Sequence, residues 1–207
     1  MSRDRKKTWR HEYVVDANVS DFALRTYLEQ FDIRHWLTQV SYEIDIVQAC
    51  DVGAGYGRLT PVLMEFCRKV TAFEREEHFV VDMQRLLPQV QVQQIEQLSL
   101  LPAPSDSFQF VLSFTVLQHL ADYELIPVVD ELKRIASKPG YILLCEATDA
   151  SLRYDEDASL EGGVTIGRSV EHYQMLFEPL ELMATATRRI EPTYTSHSGT
   201  YMLFKRT

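Results

Sequence analysis

The apolar positions of this chain change their period several times, and the changes mark its elements. Between residues 20 and 40, Phe22, Leu24, Tyr27, Leu28, Phe31, Ile33 and Trp36 recur at helical steps and build one apolar face. Ser20 and Asp21 precede that face as candidate caps. From Ile44 onward short apolar runs take over. The run 44–51 ends in an acid and a glycine turn, which predicts a strand. Residues 59–66 predict the helix after it, with Pro61 tolerated in the first turn. Strand follows at 70–73, helix at 76–87 before Pro88, and strand at 90–94. The run 108–114 is strongly apolar and predicts a central strand, followed by a helix over 122–136. Pro139-Gly140 then turns the chain into a buried strand over 141–147.

This alternation predicts an α/β fold of the Rossmann-like kind, a mostly parallel sheet with helices on both faces. The last third reads differently. Residues 152–167 are polar, contain Gly162-Gly163 and read as a loop or lid. Helix is expected at 169–177. Strands at 180–189 and 201–205 suggest an antiparallel hairpin at the sheet edge, for seven strands in all. The expected division is an N-terminal helical cap segment over 1–42 and one catalytic-type domain over 43–207, together a single globular unit.

The most informative segment joins the first strand to its helix: Asp51-Val52-Gly53-Ala54-Gly55-Tyr56-Gly57-Arg58. Its glycines let the backbone turn tightly and approach a ligand. In an open α/β sheet, ligands lie at the carboxyl ends of the strands, where this loop falls. A dinucleotide fingerprint needs a small residue at position 58, but the chain has Arg58. Asp51 sits just ahead of the first glycine, where an anion-binding loop gains nothing from an acid. A ligand carrying a sulfonium and an ammonium tolerates that acid. Arg58 and the helix N-terminus are then placed for the same ligand's carboxylate. Glu74, with Arg75 beside it, ends the next strand, where an acid can accept both hydroxyls of a ribose.

These residues resemble the class I S-adenosylmethionine-dependent methyltransferases. Asp51–Gly57 looks like their first motif and Glu74 like their second-strand acid. Ser107–Ser113 looks like the fourth-strand motif, with Gln109 where the family often has Asp. Leu117–Leu120 looks like the segment that follows, and Lys138–Leu144 like the turn into the fifth strand. The resemblance covers about 45 to 148 and implies S-adenosyl-L-methionine as cofactor, with S-adenosyl-L-homocysteine as product. It implies that adenine lies against Glu96, Gln97 and Leu98, with Ile95 as a further cover. Gly53–Thr60 and Gln118–Asp122 are also similar to protein N-terminal methyltransferases. That similarity implies Arg58 on the methionine carboxylate, Phe114 beside the cofactor and Trp9 closing over it. The acidic peptide-binding set of that family finds no match in 147–168.

Methyl transfer from a sulfonium is an in-line displacement, and the protein mainly positions the acceptor. His119, after the fourth strand, and Glu146, near the end of the fifth, are the candidate catalytic bases. His11, Tyr13, Arg168, His172, Tyr173 and Tyr194 are secondary candidates to reach the pocket. The expected acceptor is an O or N atom of a small or sugar-like molecule. The alternatives are a peptide terminus, a non-catalytic cofactor-binding protein and a nicotinamide oxidoreductase.

Composition narrows the partners. The net charge of −9 repels phosphate backbones, so no nucleic acid is expected. The basic run Arg3, Arg5, Lys6, Lys7 and Arg10 reads as a solvated terminus. Cys50, Cys67 and Cys145 lack metal spacing and fit a reducing cytoplasm, so no metal is expected. The polar start lacks a signal core, and no apolar run approaches the length of a membrane helix. Oligomeric state is not encoded in any pattern found.

Overall fold

A computed structural model describes residues 19–151, 153–154, 165–188 and 199–207. Helix α1 (Val19–Ser41) leads into β1 (Gln48–Val52), α2 (Thr60–Met64), β2 (Lys69–Glu74), α3 (Glu77–Leu86) and β3 (Gln91–Gln94). Then come β4 (Phe108–Phe114), a short 3-10 turn (Leu117–His119), α4 (Asp122–Ile135) and β5 (Ala136–Ala147). The chain ends with β6 (Arg153–Tyr154), β7 (Thr165–Ile166), α5 (Val170–Leu176), β8 (Glu181–Thr187) and β9 (Gly199–Arg206).

Seven strands form one sheet in the order β3-β2-β1-β4-β5-β9-β8. The first five run parallel, and β9 runs antiparallel to both β5 and β8, as the edge hairpin expected from the sequence. The order reverses between β1 and β4, so a crevice opens at their carboxyl ends. β4 and β5 are buried on both faces, which explains their continuous apolar runs. Gln109, on β4, accepts the backbone N–H of Gln48 at 2.8 Å and ties β4 to β1.

Two apolar layers cover the sheet. On one face Ile33, Trp36, Leu37 and Val40 of α1 pack with Phe110, Leu112 and Phe114. On the other, Leu125, Val128, Val129 and Leu132 of α4 pack with Val111, Ile142 and Leu144. Helix α1 therefore shares the core of the sheet, beyond the role of a cap. Several details differ from the sequence reading, among them β1, which begins only at Gln48. Helix α2 is only five residues long. Strand β5 starts at Ala136, and Pro139-Gly140 lies inside it at a register shift opposite β4, so the turn is a bulge. β6 and β7 pair as an antiparallel ribbon at the borders of the expected loop, whose residues 155–164 lie outside the described part.

Phe110 is fully buried in the apolar layer beneath α1. Phe110→Ala is expected to cost about 3–5 kcal/mol, read as a lower urea midpoint at unchanged slope. A loss below about 1 kcal/mol would mean that the two faces do not meet at this ring.

Candidate active site

The glycine loop closes against the end of β2. Gly53, Gly55 and Gly57 all adopt positive φ, at 73°, 58° and 82°. Gly53 and Ala54 donate to the carbonyl of Phe73 at 2.9 and 3.2 Å. Gly55 donates to Glu74 Oε2 at 2.7 Å. The other oxygen of Glu74 accepts the N–H groups of Arg75 and Glu76 at 2.7 and 2.9 Å. The two elements thus face each other, joined by a carboxylate that is 7% exposed. A Cβ on Gly53 would collide with Val116 at 2.5 Å, whereas a Cβ on Gly55 would meet nothing within 4 Å. Gly53 is glycine because a neighbour presses on it. Gly55 leaves open a cradle that a side chain would fill, which fits a ligand lying along the backbone.

Asp51 is buried and accepts the hydroxyl of Thr60 at 2.7 Å, so it ties the two ends of the loop together. Burial pushes its carboxyl up to about 6, against the pull of Thr60 and Arg58. Arg75 points its side chain to Glu76, at 2.8 Å. Ile95 donates to the carbonyl of Glu74 at 2.9 Å and brings the following segment alongside. There Glu96 and Gln97 are exposed, while Leu98 packs on the core.

Arg58 holds a partner that the sequence reading did not foresee. Its guanidinium forms an ion pair with Glu29 of α1, and Arg188 pairs with the same carboxylate. Both guanidiniums lie over the ring of Phe114, at 5.2 and 5.0 Å from its centre. Glu29 is fully buried, and two cations share its one charge. Beside this cluster, between α1 and β8, is a cavity of about 380 Å³ lined by Asp32, Trp36 and Tyr201 among others.

The turn after β4 is clamped from two sides. Glu146 is fully buried and accepts the N–H groups of Val116, Leu117 and Gln118 at 3.1, 3.1 and 2.9 Å. Arg168, also buried, donates to the carbonyls of Leu117 and Leu120 at 3.1 and 2.7 Å and reaches Asp122. The oxygens of Glu146, read from the sequence as a candidate base, anchor the turn and are fully buried. Burial pushes its carboxyl up to about 7, against the three N–H donors and Arg168. His119 is half-buried on the 3-10 turn, with Nε2 at 3.3 Å from the side-chain amide of Gln118. Thr115, where the turn begins, has φ of 56°.

Of the secondary candidates, Arg168 serves the clamp, Tyr173 is buried in the core and His172 is half-buried on α5. Trp9, His11, Tyr13 and Tyr194 lie outside the described residues. Among the described residues, no acid, His and Cys cluster could hold a metal, and no helix is long and apolar enough to cross a membrane.

Known proteins share this architecture. Residues 50–144 match the family model described as a methyltransferase domain. No curated protein matches the chain in sequence. A Leishmania major structure, described as a SAM-dependent methyltransferase, is 19% identical. The match covers 94% of this chain and 80% of that one, with TM-score 0.73. Magnesium protoporphyrin IX methyltransferase from Synechocystis PCC 6803, solved with bound SAM, is 14% identical. That match covers 96% and 86% of the two chains, with TM-score 0.69. The [4+2]-cyclase SpnF, 14% identical over 84% and 81%, has TM-score 0.63. The chain thus shares the fold of these structures, and its residues 50–144 are similar to a methyltransferase domain.

Sequence reasoning missed Glu29, Asp32, Arg188 and Tyr201. Glu29 and Asp32 stand one helical turn apart, which only their burial distinguishes from a solvated acidic face.

Asp51 and Glu146 both bind protons more tightly folded than unfolded, with carboxyls raised from 3.8 to about 6 and from 4.5 to about 7. Each contribution is therefore present at low pH and lost as pH rises through that window. For Glu146, the stability advantage of wild type over Glu146→Gln is expected to shrink by up to about 3 kcal/mol between pH 4.5 and 7. Urea midpoints across that range read it, and a growing advantage would refute the assignment.

Proposed function

We propose that the chain transfers the methyl group of S-adenosylmethionine to an O or N atom of a small molecule. The observation that carries this reading is the open cradle at Gly55, whose N–H meets the Glu74 carboxylate at 2.7 Å. When bound, the cofactor supplies an activated methyl group on a cationic sulfur. Glu74 holds the ribose hydroxyls, and Gly53, Gly55 and Gly57 give the backbone its close approach. Glu96, Gln97 and Leu98 border the adenine, with Arg75 at the rim. Arg58 takes the methionine carboxylate, and Arg188 joins it. Two guanidiniums on the single charge of Glu29 retain one positive charge for that group. Asp51 acts through the shape of the loop, which its bond to Thr60 fixes.

Phe114 forms the wall between cofactor and acceptor. His119, on the clamped turn, is the candidate base that takes a proton from the acceptor. The cavity of about 380 Å³ falls within the range of small-molecule sites, which favours a compact acceptor over a peptide.

Calorimetry with S-adenosylmethionine and with S-adenosylhomocysteine tests the cofactor. Gly55→Val is expected to abolish binding, and Glu74→Ala to weaken it by about tenfold or more. Unchanged affinity in both variants would sink the placement. Release of S-adenosylhomocysteine across a panel of small amines, alcohols and phenols tests the acceptor. Turnover restricted to peptides would overturn the small-molecule reading.

A further inference from the structure

Tyr201 of β9 lines the cavity between α1 and β8 and is held still by its neighbours. It stands opposite Cys145 and Ala186 in the sheet and is 1% exposed. Its ring packs on Trp36, with centres 6.3 Å apart, and on Phe114, at 6.0 Å. A held ring fixes the place of its hydroxyl, and that hydroxyl is buried without a hydrogen-bond partner. Such a group bears its full desolvation cost until an acceptor reaches it. Burial also raises the hydroxyl far above its usual range, so it keeps its proton and donates. Trp36 and Ala186 give the same cavity apolar wall, and Thr185 and Thr187 are exposed at its rim. Among the described residues that line it are one acid, Asp32, and no lysine or arginine.

We propose that this cavity binds a compact, uncharged molecule by a carbonyl oxygen, which accepts the hydroxyl of Tyr201. An ammonium group brings no acceptor to that hydroxyl. A carboxylate brings one, but it also carries a charge into a lining that holds an acid and no lysine or arginine. A carbonyl supplies the acceptor without the charge, and the wall of Trp36 and Ala186 suits the apolar body behind it. Phe114, on which Tyr201 packs, also lies under Arg58, at 5.2 Å. One ring therefore separates the cavity from the glycine loop. Resting on the methyltransferase reading, this makes Tyr201 a specificity residue for the acceptor molecule. That molecule carries a neutral carbonyl besides the N or O atom that takes the methyl group.

The probe is acetophenone, with ethylbenzene, benzoate and benzylammonium as controls of similar body, all titrated by calorimetry. Acetophenone is expected to bind about tenfold more tightly than each control. Tyr201→Phe keeps the ring and removes the hydroxyl. It is expected to erase the preference over ethylbenzene, and its urea midpoint without ligand is expected to be no lower than that of wild type. Ala186→Phe, at an exposed position that lines the cavity, is expected to block acetophenone. The infrared carbonyl stretch of bound acetophenone is expected at lower frequency in wild type than in Tyr201→Phe. No binding, equal binding of acetophenone and ethylbenzene, tighter binding of a charged probe, or an unaltered affinity in Tyr201→Phe would overturn the proposal. A lower midpoint of Tyr201→Phe would overturn it too, because the hydroxyl would then have a partner. Titration of wild type with S-adenosylmethionine separates the two readings. If that cofactor fails to bind while acetophenone binds through Tyr201, the methyltransferase reading falls and the carbonyl site stands. If it binds and acetophenone does not, the carbonyl site alone falls.

Discussion

The bond from Gly55 to Glu74 joins the two halves of the crevice. It exists because three glycines accept left-handed backbone, so the loop folds back over the end of β2 with its N–H groups inward. Phe73 takes two of those N–H groups on its carbonyl, and Glu74 takes the next on its side chain. The register of β1 against β2 places Val52 beside Phe73, which sets the loop and the acid at the same height. With that height fixed, Ile95 bonds to the Glu74 carbonyl and brings the third wall alongside. The crevice proposed for the cofactor is thus a consequence of strand register and turn chemistry, with few side chains asked to reach far.

The sheet and the loop were legible because their causes are local. Continuous apolar runs report strands buried on both faces, and β4 matches its expected bounds residue for residue. Gly53, Gly55, Gly57 and Glu74 stand at strand ends, so their place follows once the strands are known. The partners of buried charges were not legible. Glu29 meets Arg58 from 29 residues away and Arg188 from 159, and nothing near any of the three announces the others. Glu146 shows the same limit. Its position on the fifth strand was readable, but its use depends on which N–H groups the preceding turn brings to it.

The cluster of Glu29, Arg58, Arg188 and Phe114 links helix α1, the glycine loop and the edge hairpin. Its members come from parts of the chain far apart in sequence, and Gln30 of α1 adds a bond to the carbonyl of Arg58 at 2.7 Å. A buried carboxylate between two guanidiniums adds little net stability, but removing one partner leaves a buried charge uncompensated. That asymmetry orients α1 over the crevice more sharply than its apolar stripe can, since Ile33, Trp36, Leu37 and Val40 would tolerate small slides.

The double clamp on the turn after β4 limits how that turn can meet an acceptor. Thr115 donates to Cys145, the next three N–H groups go to Glu146, and His119 and Leu120 donate back within the turn. Six consecutive amides are already committed, so the main chain here offers an incoming molecule no donor. Selectivity along this wall must therefore be written in side chains. Exchanging them can retune which molecule is accepted while the peptide framework beneath stays as it is.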